Sequence, residues 1–382
     1  MEDKNIKNST HLPKVISGID TLYYFYETNK TYNEFFTDLL EQLESSKRRF
    51  EEQKVAYENR DLKVTINEHI FEFNGKAQGF YWFSHFDNFL SVGFKESHTN
   101  VGVHNIQIQF NAIGIYKLGL TSLLKHTDYI FNYITTGYRP VTRADLNIFV
   151  QSDLSWLTKE MFVSRKRKYT THSKEVSSKY RLQTLYIGKE PFLLRLYDKQ
   201  EELKNSSKKE MMYQYFKDNG LSIEDEIFNI EFELHRKYLR TFNIDTVDDL
   251  LSVAQILFKE CMGAIKLVDI ESISLNSINS SNRYKAHTHS LWQHISESYM
   301  LEEFLSDNKP LLKIKRPQYL YTIEQAIKEH IELANRAYLH DIVVDEQFYC
   351  EVLTAQDKIC KLSMGLYSKN KGLANESAVG MM

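Results

Sequence analysis

The chain has 382 residues, of which 42% are apolar, and its formal net charge is −3. A chain of this size buries a core of its own, and it has too little positive charge to coat a polyanion over its entire surface. Any nucleic-acid contact therefore has to be local. The sequence lacks a run of about eighteen apolar residues and an N-terminal signal pattern, which predicts a cytoplasmic protein without a membrane partner.

The first third of the chain predicts a helix and then a series of strands. Residues 31–57 place apolar side chains at helical spacing, as in an amphipathic helix packed on a core. From 62 to 110, short aromatic and β-branched runs alternate with Asn, Gly and charged residues, as strands do. A helix is predicted from about 116 to 134, ending near a glycine and a proline.

The middle of the chain combines polar strand faces with a basic loop. VTRADLNIFV (141–150) predicts a strand with Asp145, Asn147 and Phe149 on one face, and a short helix is predicted over 153–163. The span 164–181 holds seven Lys or Arg against one Glu, which predicts a loop. Such a loop either contacts DNA phosphates or is simply solvated. The predicted DNA-binding side chains are Arg143, Arg165, Lys166, Arg167, Lys168 and Arg181.

A hairpin follows with its turn at 188–191, then a helix to about 218 and a last strand over 227–240. Beyond residue 245 strand signals stop, and helices are predicted at about 246–268, 288–305, 321–339 and 345–364. The predicted fold class is α+β. Its mainly antiparallel sheet with flanking helices spans residues 1–245, and an all-α C-terminal domain spans 246–382.

Three strands that are separate in sequence each present ionisable side chains on one face. These side chains are Asp145, then Arg195 with Tyr197, then Glu231 with Glu233. If the strands are neighbours, a tyrosine lies beside a carboxylate cluster of the kind that Mg²⁺ or Mn²⁺ prefers. An ordinary sheet with one solvated face shows the same alternation, so the pattern alone leaves both interpretations open.

A phenol with a pKa near 10 is a weak nucleophile at neutral pH. It needs cationic neighbours and a charge-neutralised phosphate before it can attack a phosphodiester. Arg195 and Lys199 stand two residues to either side of Tyr197, where they could stabilise a phenolate or bind a phosphate. These three residues are the predicted catalytic side chains.

The segments VTRADLNI, LYIGK, LLRLYDKQEE and NIEFELHRKYLR, in this order, resemble the trans-acting rolling-circle replication initiator family, Rep_trans. Its members include plasmid replication initiators and relaxases of conjugative elements. GIDTLYYFY (18–26) and VHNIQIQF (103–110) are also similar to strands of that family, so the resemblance spans about residues 18–240. This chain departs from the family pattern at Phe149, where many members have an acid, at Asn229 and at Lys189.

The resemblance implies a Rep nuclease-like fold in which Tyr197 is the nicking nucleophile and forms a 5′-phosphotyrosyl intermediate. It implies Mg²⁺ or Mn²⁺ held by Asp145 and Glu231 with Glu233, and it adds Asp20 as a further ligand. The implied partner is origin DNA, both the nicked single strand and the adjacent duplex. A helicase contact and a homodimer are further expectations.

Two alternatives to a replication initiator stay open. A conjugative relaxase would use the same chemistry, and a non-catalytic DNA-binding regulator on the same fold is compatible with Phe149 in place of an acid. The segment HTHSLWQH offers His287, His289 and His294 as metal ligands. A transition-metal site there is disfavoured, because the segment opens a predicted helix rather than lying on a strand.

Overall fold

The structure is a computed structural model that describes residues 12–53, 62–96, 104–164, 169–178, 181–269 and 283–301. All of them belong to the first of two compact units, Met1–Lys313. The basic residues 165–168 and the predicted helices at 321–339 and 345–364 lie outside the described residues.

Eleven of the thirteen strands in the described residues form one antiparallel sheet. In chain order the strands are β1 (Val15–Tyr26), β2 (Lys63–Ile66), β3 (His69–Ala77), β4 (Phe80–His85), β5 (Leu90–Phe94), β6 (Ile106–Phe110), β7 (Val141–Gln151), β8 (Phe162–Val163), β9 (Ser173–Ser178), β10 (Arg181–Lys189), β11 (Phe192–Asp198), β12 (Ile227–His235) and β13 (Lys266–Leu267). The order across the sheet is β2-β3-β4-β5-β6-β1-β7-β12-β11-β10-β9, and β8 pairs with β13 separately.

Helices cover both faces of this sheet. They are α1 (Tyr32–Glu52), α2 (Ala112–Leu118), α3 (Leu120–Phe131), α4 (Lys199–Leu203), α5 (Lys209–Asp218), α6 (Arg236–Leu239), α7 (Val247–Ala264) and α8 (Ser290–Ser298). Apolar side chains of α1, α3, α7 and α8 join one face of the sheet in the main core. On the opposite face, α4 and α5 pack over Phe149 and Ile227 in a smaller apolar cluster. The predicted α+β class, with a mainly antiparallel sheet and flanking helices, is confirmed.

Helix α7 begins as the sequence predicts. The Thr246 side chain accepts a hydrogen bond from the Asp249 backbone N–H, and the Asp249 carboxylate caps the Thr246 backbone in return. Phe258 of this helix packs edge-on against Phe232 of β12 and stacks on Tyr299 at 3.9 Å between ring centroids. The segment after residue 245 thus contributes directly to the core under the sheet. No helix in the described ranges has the length and apolarity needed to cross a bilayer.

Several predicted elements have different bounds in the structure. The helix predicted to about residue 218 is the two helices α4 and α5, and the helix predicted over 246–268 ends at Ala264, before β13. The helix predicted over 116–134 is two helices, broken at Gly119, whose φ of +78° suits glycine. The strand predicted to reach residue 240 ends at His235, and the helix predicted over 153–163 is only a short 3₁₀ turn at Lys159–Met161. Part of the predicted basic loop is the edge strand β9, whose side chains are all exposed and so carry no apolar alternation.

Candidate active site

The sheet order brings together the three strands that carry the predicted site, since β12 lies between β7 and β11. The pairing register sets opposite each other Asp145 and Glu233, Glu231 and Arg195, and Asn229 and Tyr197. Side chains of directly opposed residues project from the same face of a sheet. All six side chains therefore lie on the face that α4 and α5 partly cover.

Arg143 and Asp145 form the inner part of the cluster. Arg143 donates from Nε to Asp145 Oδ1 at 2.9 Å and from Nη2 to Asp145 Oδ2 at 2.6 Å, a two-bond contact with a wholly buried carboxylate. The same Nη2 donates to Glu233 Oε2 at 2.9 Å. Arg143 also lies over the Tyr23 ring, with its guanidinium carbon 5.4 Å from the ring centroid. Arg143 thus belongs to the acidic cluster, and its predicted contact with DNA stays a prediction.

Arg195 links all three acids. Its Nη2 donates to Asp145 Oδ2 at 3.0 Å and to Glu231 Oε1, and it lies 3.5 Å from Glu233 Oε2. Burial alone would lower the pKa of Arg195, but Glu231 and Asp145 raise it above its ordinary value. The Nε atom is buried and has no hydrogen-bond partner among the described residues. Arg195 therefore stays charged and keeps one unused donor.

The Tyr197 hydroxyl is held by two neighbours. It donates to Glu231 Oε2 at 3.2 Å and accepts a hydrogen bond from Asn229 Nδ2 at 2.8 Å. Burial, followed by the charge of Glu231, raises the pKa of Tyr197 well above its usual value near 10. In this arrangement the phenol is protonated and depends on a neighbouring base for activation.

Lys199 differs from its predicted position on the strand beside Tyr197. It is the first residue of α4, and its ammonium lies 5.4 Å from the Tyr197 ring centroid and 3.0 Å from Glu202. The strand ends one residue earlier, because Asp198 caps α4 by accepting hydrogen bonds from the backbone N–H groups of Gln200 and Glu201. Lys199 thus contacts the face of the phenol ring instead of its hydroxyl.

Glu231 is the carboxylate that contacts both Arg195 and Tyr197. It is buried, and burial together with Asp20 and Asp145 raises its pKa well above the usual range, although Arg195 opposes this. One oxygen faces Arg195 and the other faces the tyrosine hydroxyl. Glu231 therefore has both the position and the raised pKa that a base accepting the Tyr197 proton needs.

Asp20 enters the site through an irregularity in β1. The β1–β7 register shifts between the pairs Ile19–Leu146 and Thr21–Asp145, which leaves Asp20 as an extra residue. Such bulges redirect side chains beside active sites. The Asp20 carboxylate accepts a hydrogen bond from the Tyr116 hydroxyl at 2.7 Å. It lines, with Tyr197, Arg195 and Glu231, a pocket of about 480 Å³.

The donor set fits a hard divalent cation in charge and chemistry. Carboxylates of Asp20, Asp145, Glu231 and Glu233 outnumber the guanidinium groups of Arg143 and Arg195 by two formal negative charges. Carboxylate oxygens are the ligands that Mg²⁺ and Mn²⁺ prefer. In the described part of the chain no three of these carboxylates form such a ligand cluster, and Arg143 and Arg195 contact oxygens of Asp145, Glu231 and Glu233 instead. A bound cation would therefore have to replace part of the arginine contacts.

The remaining predicted DNA-binding residues lie elsewhere or outside the described ranges. Arg181 is exposed at the start of β10, where it pairs with Glu226 and lies 3.5 Å from Asp153. Arg165, Lys166, Arg167 and Lys168 fall in the range that the structure does not describe. The structure thus brings Arg143 to the acidic cluster and leaves Arg181 on the surface.

Sequence reasoning missed the role of two asparagines. Asn229 contacts Tyr197, and Asn147 Nδ2 donates to Asn229 Oδ1 at 3.2 Å and to Tyr116 Oη at 3.2 Å. The alternation of these asparagines with apolar residues indicates which face of the sheet they occupy. Only the pairing register of β7, β12 and β11 shows which side chains they contact. Phe149, where an acid was expected, packs against Phe216 of α5 at 5.0 Å between ring centroids. It belongs to the smaller apolar cluster that α4 and α5 cover.

Comparison with protein-family models finds no match, and comparison with curated proteins finds none either. Among solved structures, the chain is similar to a rolling circle replication initiator protein from Geobacillus stearothermophilus. The two share 13% sequence identity with a TM-score of 0.42, over 74% of this chain and 96% of that chain. The identity is too low and the superposition too loose for this likeness to bear on activity.

Proposed function

We propose that the chain is a DNA nicking and rejoining enzyme that starts rolling-circle replication of a plasmid or other mobile element, with Tyr197 as its nucleophile. The observation that carries this proposal is the hydrogen-bonded cluster of Tyr197, Glu231, Arg195 and Asp145 from three neighbouring strands. The first three of these residues line one pocket. The resemblance of these same strands to the Rep_trans family supports it independently.

Burial of the acids supports a functional rather than a structural role. Removing a carboxylate from water costs several kcal/mol even after relaxation, and a sheet is held together as well by apolar residues. Asp145 and Glu231 are both fully buried. A strongly perturbed carboxylate beside a pocket is characteristic of catalytic sites, and Glu231 both has a raised pKa and contacts the candidate nucleophile Tyr197.

The chemistry begins with proton transfer from Tyr197 Oη to Glu231 Oε2, which lie 3.2 Å apart. Because burial raises the pKa of Glu231, its carboxylate is a stronger base than an exposed one. The phenolate oxygen then forms a bond to the scissile phosphorus as the bond from phosphorus to the 3′ oxygen breaks. The released 3′ oxygen takes a proton from water, and Glu231 returns its own proton to solvent.

Arginine side chains stabilise the charge that develops on the phosphate. Arg195 has a buried Nε–H without a partner among the described residues, and this donor is available to a phosphoryl oxygen. When bound, a Mg²⁺ or Mn²⁺ ion would act as a Lewis acid on the phosphate. Asp145 and Glu233 would hold it, together with the Glu231 oxygen that faces away from the tyrosine.

Rejoining follows from the same intermediate. The phosphotyrosyl bond retains the energy of the original phosphodiester, so attack by a 3′ hydroxyl reseals the strand and regenerates the phenol without ATP. Accordingly, the site requires no nucleotide. The duplex beside the nick, a helicase and a second copy of the chain remain proposed partners.

The decisive experiment uses a supercoiled plasmid that carries the cognate origin, with Mn²⁺ and purified protein. We expect open circles with covalently attached protein, and no adduct with Tyr197→Phe. Tyr186→Phe is the matched control, because it removes a hydroxyl from the neighbouring strand, directly opposite Arg195 in the β10–β11 register. Normal nicking by Tyr197→Phe would show that another group is the nucleophile.

A non-catalytic DNA-binding regulator is the second candidate, favoured by the apolar packing of Phe149 where an acid was expected. A regulator would bind the origin but leave no protein–DNA adduct in a denaturing gel. A conjugative relaxase would leave the adduct as an initiator does, and a neighbouring gene for a coupling ATPase would distinguish it.

A further inference from the structure

Three histidines from three elements converge at the other end of the sheet. They are His69 at the start of β3, His85 at the end of β4 and His126 in α3. One ring nitrogen of each lies within 4.8 Å of the other two, and His85 Nε2 is 3.5 Å from His69 Nδ1. Among the residues that the structure describes, no other three His, Cys, Asp or Glu side chains meet this spacing.

The spacing is near that of a tetrahedral metal site. Zinc–nitrogen bonds of about 2.0–2.1 Å set ligand nitrogens about 3.3 Å apart. The His69–His85 pair is already at that separation, at 3.5 Å. His126 has to approach by about 1.5 Å at most, which a side-chain rotation can supply. Three imidazoles and an open fourth position are a common ligand set for transition metals.

The scaffold around the histidines is well defined. Strands β3 and β4 pair with Phe71 opposite His85, and Phe71 contacts the His85 ring edge-on. Phe89 stacks on the other side of His85 at 5.6 Å between ring centroids. Asn67, in the turn before β3, donates from Nδ2 to the Tyr129 carbonyl of α3 at 2.9 Å. Helix α3 is thus anchored beside the hairpin, and the rings face each other within an apolar surround.

The state of the rings suits metal binding. Burial lowers the pKa of both His85 and His126 from the ordinary histidine value. His126 Nε2 is buried and has no hydrogen-bond partner among the described residues. Buried ring nitrogens without a partner are uncommon, and each one carries a desolvation cost. A cation between the rings would supply the missing partner.

Asp87 is in position to support His85 as a ligand. His85 Nδ1 accepts the Asp87 backbone N–H at 3.2 Å, and an Asp87 carboxylate oxygen lies 3.8 Å from the same nitrogen. The neutral ring therefore carries its proton on Nε2 in this arrangement. A metal held at Nε2 would require the ring proton on Nδ1, and the contact with the Asp87 backbone N–H would then give way to a hydrogen bond donated to the Asp87 carboxylate, now 3.8 Å away. Carboxylate–histidine–metal chains of this kind orient the ring and strengthen the ligand.

We propose that His69, His85 and His126 bind one divalent transition-metal ion, with Zn²⁺ as the best-matched ion, and that the ion fastens α3 to the β3–β4 hairpin. Imidazole ligands select zinc-like ions over Mg²⁺, whereas the carboxylates near Tyr197 have the opposite preference. Strands β4 and β11 are six positions apart in the sheet, which is roughly 29 Å. The histidine site is therefore separate from the proposed nicking site.

The test uses the full chain without a histidine tag, freed of metal with a chelator that is then removed. Titration with Zn²⁺ by calorimetry should show one tight site per chain and a rise in Tm. Co²⁺ should give the strong visible bands of a tetrahedral complex. His126→Ala should abolish all three signals, and it is the safest variant for folding because the Nε2 it removes has no partner among the described residues.

His172→Ala is the matched control, since His172 is exposed just before β9, outside the cluster. It should bind Zn²⁺ as the wild type does. Asp87→Asn should weaken binding by about tenfold or more through loss of ligand orientation. The proposal is overturned if wild type shows no saturable Zn²⁺ binding, if His126→Ala binds as tightly as wild type, or if Co²⁺ gives only the weak bands of an octahedral complex.

Discussion

Glu231 is the residue on which the proposed reaction depends most directly, because it is the only named acid whose oxygen contacts the Tyr197 hydroxyl in the described structure. Replacing it with glutamine keeps the shape and removes the base. General-base assistance contributes about 10²–10⁴ in rate. We expect Glu231→Gln to slow single-turnover nicking by about 100-fold or more while origin binding is retained.

Glu226→Gln provides the control for that measurement, since Glu226 is a partly exposed acid that pairs with Arg181 on the surface. Its nicking rate should stay within about twofold of wild type. Equal rates for Glu231→Gln and wild type would exclude Glu231 as the base and shift attention to Asp20, another carboxylate that lines the pocket.

The same substitution has a predictable effect on stability. Burial raises the pKa of folded Glu231 above its value of about 4.3 in an unfolded chain, so the folded state holds the proton more tightly. The resulting stabilisation is present in acid and is lost as the pH rises through the range between the two pKa values. Above that range the wild type carries the cost of a buried charge that glutamine does not carry.

We therefore expect the metal-free Glu231→Gln protein to melt about 2 °C or more above wild type at pH 8, with the difference shrinking toward pH 5. Thermal unfolding at the two pH values measures this. A Glu231→Gln protein that is less stable at pH 8 would mean that the Arg195 contact outweighs the desolvation of Glu231, contrary to the direction of the shift.

At the scale of elements, the alternation of polar and apolar residues along a strand can be predicted from the sequence, whereas the pairing of one strand with another cannot. The pattern of β7 assigns Asp145, Asn147 and Phe149 to one face, and the structure agrees. The Asp20 bulge could not be read in this way, because an extra residue in a strand is defined only against its partner. Strand β9 was not predicted from the sequence, because it lies at the sheet edge with every side chain exposed and so shows no apolar alternation.

The three-histidine cluster illustrates the same limit at longer range. His69 and His85 lie on two neighbouring strands whose sequences show no metal-binding motif. His126 lies in a helix, and further strands separate it from them along the chain. No spacing motif connects them, whereas the conspicuous HTH segment yields His289 as the N-cap of α8. Contact among the three depends on the β3–β4 register and on how α3 crosses the hairpin, and neither is encoded in local periodicity.

The close approach of β1 and β7 also controls the site. A Cβ on Gly18 would lie 2.9 Å from Asn147 Oδ1, and Asn147 donates to the asparagine that holds Tyr197. Gly18→Ala should push Asn147 aside and lower the nicking rate several-fold with a smaller change in Tm. Gly263→Ala is the matched control, because a Cβ there meets nothing within 4 Å in the described residues. Equal nicking rates for the two variants would mean that Asn147 does not position Asn229.

At the scale of the whole molecule, one continuous sheet carries two candidate ion sites of different chemistry. Carboxylates and arginines lie at β7, β12 and β11, and imidazoles lie at β3, β4 and α3. With a net charge of −3, the chain has no general attraction for DNA, so the proposed function requires local groups such as Arg195 to bind it. The sheet separates the two candidate sites.

Because the sites are roughly 29 Å apart and share no side chain, their perturbations should be independent. Glu231→Gln should lose Mn²⁺-dependent nicking and keep the full Zn²⁺-induced rise in Tm. His126→Ala should lose that rise and nick DNA with Mn²⁺ at the wild-type rate. The double variant should show both losses and no more. Measuring nicking and Tm on all four proteins completes the cycle, and loss of nicking in His126→Ala alone would indicate that the histidine site acts on the distant tyrosine through the sheet.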